Sequence, residues 1–224
     1  MTTVRFVFLL LATISTSSHA EGVTVGDQRV TFVYPGKYCV AGSHPREVEI
    51  RNRFAAATGQ LRLRALFADC MELEELKSGK RAALDHYGTY FLMAPNGNVA
   101  YVKDQTRRQF IEQMAGQMVN GKLQVDELVK KVEQRLVQMG AQTKSMEPLG
   151  LLGADSFGAY TGILSNTADQ DRRHREILGV SAITVVKTVP VSVGLYRGGP
   201  ISRDLRGLLS EVQTLTESFV QANE

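Results

Sequence analysis

The sequence predicts an α+β fold, an antiparallel β-sheet of about six strands covered by helices in an α/β/α sandwich. The first reason is the order of the predicted elements: strand, helix, hairpin, two helices, several strands and a last helix. This order does not alternate strictly, as a doubly wound fold does. The second reason is a set of segments rich in β-branched and aromatic residues, which is typical of strands. The third is an amphipathic helical stripe near the C-terminus.

The first half of the chain predicts strands around one helix. A start signal at Ser43-His44-Pro45, with proline tolerated in the first turn, precedes a helix over Glu47–Thr58. The alternation after Gly59 places Arg62 and Arg64 on one side of a strand. The residues expected on its other side are Leu61, Leu63, Ala65 and Phe67. The strands predicted in this half are Val23–Val25, Gln28–Tyr34, Leu61 to Cys70, and Tyr87–Met93.

A turn and two helices are predicted in the middle of the chain. Asn96-Gly97 favours the positive φ angles of a type I′ turn, so Val99–Val102 should return as the hairpin partner of Tyr87–Met93. Asp104 is the predicted N-cap of the first helix. The apolar residues expected to be buried by that helix are Phe110, Ile111, Met114 and Met118. Beyond Gly121, the stripe of a second helix consists of Val125, Leu128, Val132, Leu136 and Met139.

The last third returns to strands and ends in a helix. Pro190 implies a bend or an edge position in its strand, and the polar segment Ser165–Glu176 is predicted to be a surface loop. The predicted strands are Gly150–Gly153, Phe157–Leu164 and Ala182–Tyr196. Ser202 is a candidate cap for the last helix. The stripe of that helix consists of Leu205, Leu208, Val212, Leu215 and Phe219.

Residues 1–20 have the pattern of a cleavable secretory signal peptide. Arg5 gives a positive start, Phe6–Ile14 is apolar, and Ser18-His19-Ala20 offers small residues to a signal peptidase. The apolar run is shorter than the ~20 residues of a transmembrane helix. We therefore expect a periplasmic or secreted protein, cleaved near Ala20, with no transmembrane anchor. Residues 21–224 should form a single α+β sandwich domain with a helical pair at about 104–139.

Charge and cysteine content limit the possible functions. A net charge of +3 is too small to indicate nucleic-acid binding. The two cysteines, Cys39 and Cys70, are expected to form a disulfide in an oxidising compartment, with free thiols as the alternative. They lack the C-x-x-C spacing of redox pairs. The histidines of the mature chain are scattered, so no metal site and no cofactor are predicted.

The order of elements resembles the PsbP-like family, whose fold is an antiparallel sheet between helices. The resemblance lies in an early strand that ends in Tyr34-Pro35, a meander that closes the sheet, and a long C-terminal helix. It covers most of the mature chain, although the helical pair is larger than that family leads one to expect. Members mostly act as binding or assembly subunits, so the resemblance implies a non-catalytic role.

A serine nucleophile is the first catalytic candidate. Ser156 lies in Gly153-Ala-Asp-Ser-Phe-Gly158, but a nucleophile elbow needs glycine where Ala154 stands, and a helix where a strand is predicted. Neither the adjacent Asp155 nor the downstream His174 completes the motif. A serine in a turn before a strand is the favoured interpretation. No catalytic residue is assigned, and an envelope hydrolase centred on Ser156 stays an alternative.

Two charged clusters are candidate binding sites. A run of carboxylates flanks Cys70 and could serve acid–base chemistry or bind Ca²⁺, although a solvated strand end is favoured; it consists of Asp69, Glu72, Glu74 and Glu75. The basic stretch is a candidate partner-binding segment, although nearby acidic residues largely neutralise it; it consists of Arg172, Arg173 and Arg175. The sequence therefore favours a non-catalytic, exported binding or assembly-factor protein for an unknown envelope protein. A small-ligand carrier, with its pocket between sheet and helices, is a further alternative.

Overall fold

The computed structural model of this 224-residue chain describes residues 19–58, 61–119, 142–168, 174–198 and 204–224. The strands of this part are β1 (His19–Val25), β2 (Gln28–Tyr34), β3 (Tyr38–Val40), β4 (Leu61–Asp69), β5 (His86–Met93), β6 (Gln142–Ala154), β7 (Ala159–Ala168), β8 (His174–Val186) and β9 (Val189–Gly198). Its α-helices are α1 (Pro45–Ala57), α2 (Cys70–Ser78), α3 (Arg107–Val119) and α4 (Leu205–Gln221).

The strands form one large antiparallel sheet and a separate hairpin. The sheet has seven strands in the order β3-β4-β5-β9-β8-β7-β6, and β1 pairs only with β2. Helices cover both faces of the sheet, so the predicted α+β class with an antiparallel sheet is confirmed. The order also places β9, near the end of the chain, between β5 and β8 at the centre of the sheet.

One face of the sheet, called the α4 face below, is largely buried. The hairpin β1–β2 and α4 pack on it with a cluster of aromatic side chains. Phe32 lies 5.1 Å from Tyr90 and 5.7 Å from Phe219, measured between ring centroids. The Tyr90 hydroxyl donates to the Val33 carbonyl oxygen at 2.7 Å, which satisfies a buried polar group. The predicted stripe of the last helix is confirmed, since Leu208, Val212, Leu215 and Phe219 are all buried here.

The opposite face is covered only at two diagonal corners by the described helices. Helices α1 and α2 pack at the β4–β5 side around Leu66 and Tyr87. Helix α3 packs at the far end of β7 and β8, where Phe110 and Met114 contact Ala159 and Val185. The area between these two corners is described with the candidate site below.

The first predicted helix is confirmed, and it begins two residues earlier than expected. Pro45 is its first residue, and His44 and Glu47 form a capping box at its N-terminus. The Glu47 carboxylate also accepts hydrogen bonds from the backbone N–H groups of Gly42 (3.1 Å) and His44 (3.3 Å). The sequence signal at Ser43-His44-Pro45 therefore marked the correct turn.

The end of β4 differs from the prediction in two ways. A register shift between Leu63 and Ala65 reverses the alternation, so Leu63 packs on the opposite face while Ala65 and Phe67 pack on the α4 face. The strand then ends at Asp69, whose side chain accepts from the backbone N–H of Met71 at 2.9 Å and caps α2. The predicted solvated strand end is thus wrong, and α2 takes its place.

The predicted hairpin after β5 is also wrong. Asn96 and Gly97 do have positive φ angles of 56° and 81°, but they belong to a short 3₁₀ helix, Pro95–Gly97. Residues 99–102 form no strand. The physical reason is that β4 and β9 already pair with the two edges of β5, so a returning segment has no edge to join.

Two further predictions concern this region: the N-cap of α3 and the second helix of the predicted pair. The burial of Phe110, Ile111 and Met114 is confirmed, but Thr106 rather than Asp104 caps the helix. The Thr106 hydroxyl accepts from the backbone N–H of Gln109 at 3.3 Å, and the Gln109 side chain accepts from the backbone N–H of Thr106 at 2.9 Å. The second predicted helix, Gly121 and Ser202 lie outside the described residues.

Strands β7, β8 and β9 are longer than predicted. The predicted loop Ser165–Glu176 is wrong for most of its length, because β7 continues to Ala168 and β8 begins at His174. The predicted strand Ala182–Tyr196 is two strands, divided where Lys187 and Thr188 have φ angles of 45° and 69°. The expected edge position of Pro190 is wrong, because β9 is a central strand; Pro190 is tolerated there because it lies one residue beyond the last β5–β9 pair.

The two edge strands of the sheet are irregular or short. Edge strand β6 shifts register against β7 at three places, and Gly150 there has a φ of 76°. The other edge strand, β3, has three residues. Both features interrupt the regular row of free backbone groups that an edge would otherwise present.

Candidate functional site

The predicted disulfide is present. Cys39 and Cys70 are bonded, with their Cα atoms 4.9 Å apart. Cys39 lies at the centre of β3 and Cys70 is the first residue of α2, so the bond joins an edge strand to the helix that covers it. It links two structural elements and leaves no free thiol in the chain.

Ser156, the sequence candidate for a nucleophile, lies exposed in the turn before β7. Asp155 organises this turn: its Oδ1 accepts from the backbone N–H groups of Phe157 (2.8 Å) and Gly158 (3.0 Å) and from the Tyr160 hydroxyl (2.9 Å). Burial, together with this carboxylate, raises the pKa of Tyr160. Among the described hydrogen bonds, none joins Ser156 to a histidine or an acid. The favoured sequence interpretation, a turn serine, agrees with this geometry.

The four members of the predicted carboxylate run differ in burial: Glu72 is buried, Glu74 is exposed, and Asp69 and Glu75 are partly buried. Glu72 is buried, and its Oε2 accepts from the backbone N–H groups of Asp85 (2.7 Å) and His86 (3.0 Å). Its Oε1 lies 2.7 Å from His86 Nδ1. Glu74 is exposed and pairs with Lys77. Alternation predicts a strand end in place of α2, and a strand end carries no signal for the burial of Glu72.

The Glu72–His86 pair resembles the carboxylate–imidazole pairs that orient catalytic or metal-binding histidines. Arg81 extends the cluster, with hydrogen bonds to Glu75 (3.0 Å) and Asp85 (2.6 Å). In the described part of the chain, no group of three or more histidine, cysteine or acidic side chains is arranged to hold a metal ion. The cluster therefore serves to fasten α2 to the beginning of β5.

The predicted partner-binding arginines are only partly described. Arg172 and Arg173 lie outside the described residues, while Arg175 belongs to β8, where its backbone pairs with Thr167. This region is therefore the end of a β-hairpin rather than a loop of twelve residues, and the proposed role of the three arginines stays a prediction.

A different surface lies between the two helix-covered corners of the opposite face. There the middle of β5, β9, β8 and β7 carries small, hydroxyl-bearing or aromatic residues. We call this surface the central strip; it consists of Thr89, Thr161, Ile163, Gly179, Ser181, Ser192, Gly194 and Tyr196. Its larger side chains are half-buried, whereas most α4-face side chains of the same strands are fully buried.

Two glycines shape the central strip. The ring of Tyr196 occupies the space that side chains at Gly179 and Gly194 would need: a Cβ at Gly179 would come within 2.6 Å of the ring, and one at Gly194 within 2.9 Å of the Tyr196 hydroxyl. The Tyr196 ring also stacks on Tyr87 at a centroid distance of 4.8 Å. Its hydroxyl lies 3.3 Å from the Ser181 hydroxyl. The ring is thus held along the sheet instead of pointing away from it.

A row of hydroxyl groups crosses the strip from strand to strand. Thr89 pairs with Gly194, Gly194 with Ser181, and Ser181 with Thr161, so these four residues lie side by side. Thr89 is 1% exposed, and its hydroxyl has no hydrogen-bond partner in the part of the chain that the structure describes. A buried hydroxyl without a partner is an exception in folded proteins.

The whole of this face is uncharged where the structure describes its side chains. None of the residues directed to it from β5, from β9, from Ile177–Val185 of β8 or from Ala159–Ser165 of β7 is charged. A half-exposed, uncharged surface with hydroxyl groups and one aromatic ring can bind a neutral molecule through apolar contact and a few hydrogen bonds. The sequence does carry one sign of it, the spacing of Gly179-x-Ser181 and Ser192-x-Gly194, which alternates small residues on one face.

No family model and no curated protein matches this chain. The solution structure of the cyanobacterial PsbP protein (CyanoP) from Synechocystis sp. PCC 6803 is similar over 95% of this chain and 93% of that one, at 12% identity and a TM-score of 0.35. The resemblance to the PsbP-like family is therefore a weak one, at the level of the fold.

Proposed function

We propose that this chain is an exported accessory protein that acts by binding, and that the central strip is its binding surface. The observation that carries the proposal is the contrast between the two faces of one sheet. The α4 face is largely buried, whereas the strip on the other face combines half-buried side chains with a complete lack of charge among its described positions. Solvent-facing sheet positions ordinarily carry polar and charged residues.

The shape of the strip favours a binding surface over a sheet face that is merely exposed to solvent. Glycine at positions 179 and 194 weakens a strand and is kept where something must approach the backbone closely. The approaching group here is the Tyr196 ring, which presents an aromatic surface beside Ser181. Aromatic rings with nearby hydroxyl groups are characteristic of binding surfaces.

Export is supported by the signal-like residues 1–20 and by the Cys39–Cys70 bond. Disulfides persist mainly in oxidising compartments such as the periplasm or the extracellular space. No helix in the described residues is long and apolar enough to cross a membrane. Strand β1 begins at His19, so cleavage after Ala20 would leave Glu21–Val25 of it paired with β2. The Glu21 carboxylate accepts from Arg64 at 3.0 Å, which holds this shortened strand in place.

Site-specific photocross-linking tests the proposal. The photoreactive residue p-benzoylphenylalanine is placed at Ser192 in the strip, and as a matched control at the exposed Thr214 of α4, on the other side of the sheet. After irradiation of intact cells, we expect an adduct with another molecule from position 192 and none from position 214. Equal labelling at both positions, or cross-links only within the chain, would contradict the proposal.

A further inference from the structure

We infer that the central strip binds an uncharged, largely apolar small molecule that carries a hydrogen-bond-accepting oxygen. The inference rests on the proposed function, since it names the class of ligand for the same surface. Three features of the strip support it: the neutral face, the mixture of apolar and hydroxyl groups, and one buried hydroxyl that lacks a partner.

The neutral face excludes a charged ligand. A charged group that leaves water for a partly buried surface needs a counter-charge, and without one its desolvation is costly. The positions of this face in β5, β7, β8 and β9 that the structure describes carry none. Lipid headgroups with phosphate, acidic peptides and nucleotides therefore do not suit this surface.

The side chains of the strip suit an apolar molecule with few polar atoms. Ile163 and the Tyr196 ring are half-buried and offer apolar contact. Gly179 lies between them in the register, and Thr161, Ser181 and Ser192 in the neighbouring rows add hydroxyl groups at fixed positions along the strands. Small-molecule sites generally combine an apolar lining with a few polar groups that fix the orientation of the ligand.

Thr89 identifies the oxygen acceptor. Its hydroxyl is buried without a partner and belongs to the hydroxyl row of the strip, because Tyr87 and Thr89 point to the same face of β5. A threonine hydroxyl can donate one hydrogen bond, and a carbonyl or ether oxygen of a ligand would accept it. Such a bond would remove the cost of leaving a buried donor unpaired.

A ligand reaches Thr89 by displacing the Tyr196 ring. The Tyr196 hydroxyl lies over Gly194, and Gly194 is the cross-strand partner of Thr89. Among the described hydrogen bonds, the 3.3 Å contact with Ser181 is the one that holds this end of the ring, and the ring is partly exposed. A ligand that replaces this contact can turn the ring outward and reach the threonine.

Thr184 provides a matched control for Thr89. It is also a strand threonine with a buried, unpartnered hydroxyl, but it lies on the α4 face, as its neighbours Ala182 and Val186 do. Replacing either threonine with valine removes a hydroxyl that makes no hydrogen bond, so both variants should fold at least as stably as the parent. Only Thr89→Val should weaken the binding of the ligand.

The test uses Nile red, an uncharged apolar dye with a carbonyl oxygen, and the sulfonate dye anilinonaphthalene sulfonate as its charged counterpart. Fluorescence titration of the mature protein should show saturable binding of Nile red at one site and no saturable binding of the sulfonate. Thr89→Val should weaken Nile red binding about tenfold, as the loss of one hydrogen bond predicts. Thr184→Val should bind Nile red as tightly as the parent protein does. Ser181→Ala, a second variant within the strip, should change the affinity for Nile red.

The possible results separate this inference from the proposed function. Equal binding of Nile red by the two valine variants, or equal binding of both dyes, would overturn the inference. If Nile red does not saturate while position 192 captures a protein, the ligand class is wrong and the binding function stands. If neither the Nile red titration nor the photocross-linking detects a molecule at the strip, both the ligand class and the proposed binding function are wrong.

Discussion

At the scale of single residues, the buried carboxylate of Glu72 is the most consequential polar group of the described chain. It accepts two backbone hydrogen bonds from the beginning of β5 and contacts the His86 ring, so three donors depend on it. Its position follows from the cap at Asp69, which fixes the first turn of α2 and aims Glu72 at the sheet. The segment between α2 and β5 is thereby fastened at both ends.

Glu72→Ala should lower the free energy of unfolding by about 3 kcal/mol, because it leaves buried N–H groups without an acceptor. Urea denaturation should show a lower midpoint with an unchanged m-value. The matched control is Glu74→Ala on the exposed side of the same helix, which should leave the midpoint almost unchanged. Similar shifts for the two variants would show that Glu72 does not hold the segment.

At the scale of elements, α2 and the end of β4 show where local sequence patterns are insufficient. The signals of a helix were present, with Asp69 as N-cap, Glu72 in the first turn and Gly79 after the last turn. The alternation in β4, which precedes these signals, favoured a longer strand instead. Over a few residues, a strand and a short acidic helix show the same spacing of polar side chains. The register shift after Leu63 has no sequence signal that alternation can recognise.

The disulfide joins two of these elements, β3 and α2. Replacing both cysteines with serine should lower the free energy of unfolding by about 3–4 kcal/mol in the chain-entropy model, because the bond closes a loop of 31 residues. Hydrogen exchange should show β3 losing protection first, since it pairs only with β4 at the edge of the sheet. An unchanged midpoint, with β3 still protected, would contradict this expectation.

At the scale of the whole molecule, the class of fold could be predicted from the sequence, whereas the central strip could not. The C-terminal helix, β2, β5 and α1 follow from periodicity and caps, which are local properties. The central strip instead depends on which strands are neighbours. Thr89 and Gly194 are distant in sequence, and they meet only because β9 lies beside β5. The predicted hairpin after β5 failed for the same reason.

Buried tyrosines make the stability of the whole fold sensitive to alkaline pH. Burial raises the pKa of Tyr38 to about 12 and also raises the pKa values of Tyr34, Tyr90 and Tyr160. In the unfolded chain these groups ionise near pH 10, so above that pH the unfolded chain loses protons that the folded chain keeps. The free energy of unfolding should therefore fall, by up to about 1.4 kcal/mol per pH unit for each such tyrosine.

Phenolate absorbance followed together with circular dichroism tests this expectation. Of the seven tyrosines, the four with a raised pKa (Tyr34, Tyr38, Tyr90 and Tyr160) should ionise only as the fold is lost, well above pH 10. Ionisation of all seven near pH 10 with the circular dichroism unchanged would be the contrary result.

The irregular edges of the sheet have a consequence for how copies of this chain behave together. A flat edge strand invites a second copy to continue the sheet, which is the first step toward fibrils. Here β6 loses its register repeatedly, and β3 is three residues long and tied to α2. Neither edge offers a template for indefinite growth. The protein can therefore carry an uncharged face on its sheet without the usual risk of edge-to-edge polymerisation.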